Sequence, residues 1–131
     1  MTTTTMNDEN SPLALPNRLI HEPARLAILT ILSSCEAADF LFLQTATRLS
    51  KGNLSVQLTN LEQAGLIEIT KEIIDKKMRT TARLSKRGKG EIDEYWKTMD
   101  AIRQRMAANE RRSRRKPAVA LPARFSIVSA D

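Results

Sequence analysis

The chain has 131 residues, of which 41% are apolar and 4% aromatic, so it is long enough for one domain with a mainly aliphatic core. No apolar run approaches the ~20 residues that span a bilayer, and the Thr-rich, acidic start resembles no signal peptide. We therefore expect a cytoplasmic protein that makes no membrane contact. The single cysteine, Cys35, excludes an internal disulfide, and we expect this thiol to be buried and inert.

The charge is distributed unevenly along the chain. Residues 1–47 carry two basic and five acidic side chains, a net −3, whereas residues 48–131 carry 19 basic and 10 acidic ones, a net +9. This asymmetry indicates a polyanionic partner for the second part of the chain, and nucleic acid is favoured over a membrane surface.

The chain begins with a segment that we expect to be a flexible arm, residues 1–17, which is poor in large apolar side chains. A first helix is predicted to begin at Pro23, because proline is favoured at the first helical position, and to end at Ser33 and Ser34. It is apolar on nearly every side, which predicts burial. His21 precedes it, and we expect a structural or capping role for this side chain.

A second helix is predicted from its N-cap Asp39 to about Leu49. Four consecutive apolar residues at its start exceed what one face of a short helix can bury. Leu41 and Phe42 therefore either pack under the N-terminal arm or contact a partner, and the sequence favours neither.

The second and third helices are predicted to be joined by a tight turn, residues 50–52, with Gly52 at the bend. The third helix spans about residues 53–64, and Gly65 stands where a helix end favours a left-handed residue. One apolar stripe faces the core at helical spacing: Leu54, Leu58 and Leu61.

Alternating apolar and polar residues follow, which indicate two strands at residues 66–73 and 79–84 around a polar turn at 75–77. Ser85 is predicted to cap a last, long helix over about residues 91–109. We therefore predict a mainly α fold with a small β-hairpin (α+β): a winged helix-turn-helix with a long C-terminal helix.

This domain is predicted to span residues 18–109, and residues 110–131 form a basic C-terminal tail. The tail contains a dense basic run that either tracks phosphates or is simply solvated: Arg111, Arg112, Arg114, Arg115 and Lys116.

Three segments resemble the small winged-helix regulators of the MarR and ArsR types. Residues 52–67 match the signature G-N-L-S-x-x-L-x-x-L-E-x-A-G-L-I/V, and residues 21–29 resemble the opening of the first helix of that family. Residues 80–88 are similar to its T-x-x-x-L-T-x-x-G exit from the wing, with Ser85 in place of the second Thr. The resemblance covers about residues 18–105 and implies a dimeric, DNA-binding repressor or activator. Val56 departs from it, since related sequences often carry a basic residue there.

The third helix offers polar side chains that suit base edges in the major groove, with the alternative that this is an ordinary solvated face. The candidates for base and backbone contact are Lys51, Asn53, Ser55, Val56, Gln57, Thr59 and Asn60. The wing tip adds three candidates for phosphate or minor-groove contact, Lys76, Lys77 and Arg79, although hairpin tips are commonly just solvated.

The last helix carries apolar residues at heptad spacing, which predicts a symmetric homodimer held partly by this helix. The predicted interface comprises Ile92, Tyr95, Trp96, Met99, Ile102 and Met106. The competing interpretation is that the seam packs on its own domain, which must account for at least Ile92 and Tyr95.

The sequence contains no Gly-rich phosphate loop, no metal-ligand cluster and no nucleophile signature, so we expect neither an enzyme nor a cofactor. The favoured function is a sequence-specific regulator that binds double-stranded DNA. The alternative is a winged-helix module that docks another protein and binds no DNA. The operator, the regulated genes, the sign of regulation and any small-molecule effector cannot be derived from the sequence.

Overall fold

A computed structural model describes residues 12–115, so most of the predicted arm and Lys116 of the basic run lie outside the described residues. Residues 14–99 form one compact unit that contains four helices, counting the first part of the last one, and one sheet. The described residues from Asp100 onward continue the last helix and belong to a second unit.

The first helix, α1 (Pro23–Ser33), has the bounds that the sequence predicts. Its N-cap is Glu22, whose carboxylate accepts a hydrogen bond from the Arg25 main-chain N–H at 2.8 Å. His21 is therefore not the cap. Instead, its Nδ1 lies 2.9 Å from the Tyr95 hydroxyl, which ties the entrance of α1 to the last helix.

Cys35 is exposed, so the prediction of a buried thiol is wrong. It lies in the connection after α1, where residues 33–37 are all exposed, and its Sγ makes a 3.4 Å contact with the carbonyl oxygen of Ile31. Cysteine is commonly buried, but Cys35 is exposed because no other element of the fold packs over this connection.

The second helix, α2 (Phe40–Thr47), begins where the sequence predicts, since Asp39 Oδ1 accepts the Phe42 N–H at 2.8 Å. It ends earlier than predicted because Arg48 adopts a left-handed conformation with φ 61°. Leu41 and Phe42 are 70% and 55% exposed.

The third helix, α3 (Lys51–Gln63), begins two residues earlier than predicted, because Ser50 is its N-cap and accepts the Asn53 N–H at 3.1 Å. Gly52 lies inside α3 and not at a bend. The reversal between the helices is made by Arg48 instead. The three predicted inward leucines are buried, and Gly65 has φ 79°, as its position after the helix predicts.

The sheet has three antiparallel strands in the order β1–β3–β2, formed by β1 (Ala38–Asp39), β2 (Ile67–Ile74) and β3 (Lys77–Leu84). The short strand β1 was not predicted. The hairpin turn is Asp75–Lys76, in which both residues have positive φ (51° and 67°), the geometry of a two-residue type I′ turn whose twist matches the strands. Lys77 therefore belongs to β3 and not to the turn.

The last helix, α4 (Lys86–Arg115), begins earlier and ends later than predicted. Ser85 is its cap, as predicted, and its hydroxyl accepts the Gly88 N–H at 2.9 Å. The four arginines of the basic run lie within this helix. The predicted mainly α fold with a small hairpin and a long last helix is confirmed. No helix within residues 12–115 combines the length and apolar character needed to cross a membrane.

The core of the compact unit lies where α1, α3, the sheet and the start of α4 meet. Ile92 and Tyr95 are both 3% exposed and belong to this core. The first two positions of the predicted heptad seam therefore pack on their own domain and do not form a surface for a second copy.

Candidate nucleic-acid interface

The outward face of α3 is polar and its inward face is aliphatic. Five of the predicted contact residues are exposed: Lys51, Asn53, Ser55, Val56 and Thr59. Gln57 and Asn60 are half-buried. Val56, at 55% exposure, is the one large apolar side chain that the described part of α3 leaves exposed. The face thus offers amides and hydroxyls, with one isopropyl group among them.

Two of these amides are bonded to each other. Gln57 Nε2 donates to Asn53 Oδ1 at 3.1 Å, as residues four apart on one helix face can do. The other end of the Gln57 side chain accepts from Arg25 of α1, with 3.0 Å between Nη1 and Oε1. Sequence reasoning missed Arg25, because nothing in the spacing of α1 shows that this residue reaches a helix 32 positions away.

The tip of the wing is exposed along its whole length. Lys76 and Lys77 extend from the turn and the start of β3, and every residue from Lys71 to Arg79 is exposed. Among these residues, Ile73 and Met78 oppose each other across the hairpin and are 74% and 62% exposed. Sequence analysis also missed this pair, although the alternation that buries Ile67 continues outward to Ile73.

Arg79 is turned toward α2 rather than toward the tip. Its Nη2 lies 3.5 Å from Asp39 Oδ2, so one carboxylate caps α2 and pairs with the wing. Both side chains are at least one third exposed, and an ion pair of this kind contributes about 0–1 kcal/mol. The pair therefore adds little to the stability of the fold.

A cleft of about 530 Å³ separates the start of α3 from the wing. Lys51 and Ser55 line it on the α3 side, Phe40 and Leu41 on the α2 side, and residues 78–80 on the wing side. Lys51 and Ser55 of α3 and Arg79 of the wing therefore lie around one concave surface, whereas Lys76 and Lys77 lie beyond it on the hairpin. Among the described residues no group of three His, Cys, Asp or Glu side chains could hold a metal ion.

The remaining predicted interface residues lie on α4. Trp96 and Met106 are 44% and 49% exposed, Ile102 is half-buried, and Met99 packs partly against the core. In the part of α4 from Asp100 onward, ion pairs join Arg103 to Asp100 and Arg114 to Glu110.

Comparison with known proteins agrees with this geometry. An uncharacterised protein of Methanocaldococcus jannaschii is 27% identical over 78 residues, which cover 60% of this chain and 85% of that protein. A transcriptional regulator homologue from Pyrococcus horikoshii has 27% identity and a TM-score of 0.64, covering 67% of this chain and 87% of its own.

A MarR-family transcriptional regulator from Silicibacter pomeroyi shares the fold, with 20% identity and a TM-score of 0.51, and the match covers 85% of this chain and 68% of that one. The pattern of the winged helix DNA-binding domain matches residues 24–103, which include α1, the two following helices, the hairpin and much of α4. The resemblance seen in the sequence is thus confirmed, and the chain belongs to the winged helix DNA-binding domain family.

Proposed function

We propose that the protein is a sequence-specific regulator of transcription that places α3 in the major groove of double-stranded DNA and the wing on the backbone or in the minor groove. One observation carries this proposal: α3 buries its leucines and exposes amide and hydroxyl groups, on a chain of the winged helix DNA-binding family. Asn53, Ser55 and Thr59 offer donors and acceptors of the kind that base edges match.

The wing supplies general affinity in this proposal. Lys76 and Lys77 are exposed cations at the hairpin tip, and phosphates look alike at every base pair. The exposed Ile73 and Met78 add apolar surface that suits the walls of a minor groove. The wing is therefore expected to position the protein, while α3 selects the sequence.

We further propose that the protein acts as a symmetric homodimer through α4. Ile92 and Tyr95 belong to the core, so the proposed interface comprises Met99, Ile102 and Met106, which keep the heptad spacing of the seam, and Trp96, which flanks it. A two-fold dimer presents two copies of α3 and so binds two half-sites.

A second candidate function is docking of another protein. The exposed pair Leu41 and Phe42 on α2 favours it, because adjacent exposed aliphatic and aromatic side chains are typical of contact surfaces. Leu41 lines the same cleft as Lys51 and Ser55, whereas Phe42 does not, so a change at Phe42 separates the two functions by mutation.

The test is a titration of the full chain against a duplex selected from a random pool and against a scrambled duplex, each at two salt concentrations. Asn53→Ala should weaken binding to the selected site by ~1–3 kcal/mol and change binding to the scrambled site little. Lys76→Ala should weaken both by similar factors and lower the salt slope by about one unit.

Phe42→Ser is the matched control, since Phe42 is exposed, lies outside the proposed contact set and does not line the cleft. It should leave both DNA affinities unchanged. If the α3 and wing variants bind both duplexes as the wild type does, the DNA-binding proposal is wrong and the docking function is favoured.

A further inference from the structure

The base-contact residues of α3 are connected to α1 by a chain of hydrogen bonds that begins at Arg25. The Arg25 main chain is bound by the Glu22 carboxylate, and its Nε donates to the carbonyl oxygen of Leu19. Its Nη1 donates to Gln57 Oε1 at 3.0 Å, and Gln57 Nε2 donates to Asn53 Oδ1 at 3.1 Å. Arg25 is half-buried, and hydrogen bonds at its main-chain N–H and at its Nε hold the guanidinium group in place beside Gln57.

The chemistry of Arg25 sets the direction of every bond that follows. A guanidinium group has only donors, so Gln57 must turn its oxygen toward Arg25. This orientation points the Gln57 NH₂ group toward Asn53, which must then offer its own oxygen. If either amide turned over, two sets of N–H groups would face each other. The polarity of both amides therefore follows from Arg25.

The outcome is an Asn53 side chain that presents donors to the surface. An unconstrained asparagine pairs with adenine by donating to N7 and accepting from the N6 amino group. The bond from Gln57 uses one of the two lone pairs of Asn53 Oδ1 and keeps this oxygen turned toward Gln57, while the Asn53 NH₂ group remains for a partner on the exposed face. Guanine suits this group because its major-groove edge carries two acceptors, N7 and O6, and no donor.

We infer that Arg25, acting through Gln57, fixes Asn53 as a hydrogen-bond donor and makes it select guanine over adenine in the major groove. This inference rests on the proposed function, in which α3 contacts base edges. Arg25 is a positioning residue in it, because it sets the polarity of a side chain that makes the contact.

One isosteric change at Gln57 can reverse the direction of the hydrogen bond between residue 57 and Asn53. In Gln57→Glu, both carboxylate oxygens are acceptors, so one accepts from Arg25 and the other accepts from the Asn53 NH₂ group. Asn53 must then turn its oxygen outward, where it can accept from the adenine amino group. A purely structural role for Gln57 predicts no such exchange of base preference.

The experiment selects bound duplexes from a random pool with the wild type and with Asn53→Ala, which identifies the base pair whose preference depends on Asn53. The wild type and each variant are then titrated against duplexes that differ only there. We expect the wild type to prefer guanine over adenine by about 5- to 150-fold, the scale of one good base contact. Arg25→Met should reduce this ratio to about twofold or less, and Gln57→Glu should invert it.

Arg103→Met is the charge-matched control, because it removes one arginine of α4 whose ion pair is with Asp100, and its ratio should equal that of the wild type. Thermal unfolding reports whether each variant folds. If Arg25→Met does not fold, the Gln57→Glu ratio decides the question.

An Asn53-dependent preference for adenine in the wild type overturns the inference, as does a Gln57→Glu variant that still prefers guanine. In either case the proposed function survives, since α3 still determines sequence preference. If no base preference depends on Asn53 or on any other exposed α3 residue, the proposed function and this inference are both wrong.

Discussion

At the scale of single residues, two glycines of α4 that are two positions apart, Gly88 and Gly90, have opposite surroundings. A Cβ on Gly88 would collide with the carbonyl oxygen of Leu66 and lie 3.0 Å from a Leu84 methyl group. A Cβ on Gly90 would meet nothing within 4 Å. Gly88 is therefore required for the close approach of α4 to the sheet, whereas Gly90 is not.

Gly88→Ala and Gly90→Ala should thus change stability in opposite directions. The first forces the helix away from a backbone atom and should lower the free energy of unfolding by ~1–3 kcal/mol or more, the scale of overpacking. The second replaces glycine in a helix and should raise it by ~0.5–1 kcal/mol. Urea unfolding measures both, and equal destabilisation by the two changes would contradict the structure.

At the scale of elements, the wing is a hairpin whose turn is not built from its preferred residues. A type I′ turn requires positive φ at both central positions, for which Asn-Gly is favoured, yet this chain uses Asp75 and Lys76. A lysine in the left-handed region is strained by ~1–2 kcal/mol. The position that is conformationally least suited to lysine is also the one where a cation would meet phosphate.

We expect Lys76→Gly to separate these two effects. It should raise the free energy of unfolding by up to about 1 kcal/mol, because glycine adopts φ 67° without strain. It should also weaken DNA binding and lower the salt slope by about one unit. Lys77→Gly is the control for stability. Lys77 belongs to β3, where glycine weakens a strand, so this change should lower the free energy of unfolding. A Lys76→Gly variant that is both less stable and unchanged in DNA binding would refute this account of the turn.

At the scale of the whole molecule, the proposed dimer depends on the α4 residues of the predicted interface that are not buried in the core. Trp96 and Met106 are about half exposed, whereas the seam residues Ile92 and Tyr95 are buried. The Tyr95 hydroxyl lies 2.9 Å from His21 Nδ1, and the Tyr95 ring forms a T-shaped pair with Trp96, with ring centroids 5.0 Å apart. Variants that test the dimer must therefore avoid those buried positions, because they would unfold the domain.

Ile102→Asp should convert the dimer to a monomer in sedimentation at micromolar concentration, because a carboxylate in an apolar seam is desolvated without a partner. It should also abolish preference for two half-sites spaced by ~10 base pairs or a multiple of that. Gln104→Asp, at an exposed position two residues on, controls for charge on the same helix and should remain dimeric. A wild-type monomer, or an unaffected Ile102→Asp dimer, would show that α4 is not the interface.

Most of the fold follows from local patterns in the sequence. The spacing of Leu54, Leu58 and Leu61 determined α3, and alternation from Ile67 determined the hairpin, because helices and strands repeat at 3.6 and 2 residues. Capping also followed from residue type, as Asp39 and Ser85 show. These features need only interactions between residues close in the chain.

The tertiary structure decided what long-range contacts control. Arg25 reaches Gln57 across 32 positions and Asp39 pairs with Arg79 across 40, so neither partner could be identified from spacing. The same holds for the exposure of Cys35 and the burial of Ile92, since burial depends on which elements cover a residue. The sequence by itself determined the buried leucines of α3 and its polar outer face, but only the packing of α1 against α3 decided the hydrogen-bond partners of Gln57 and Asn53, because Arg25 is brought to them by the fold.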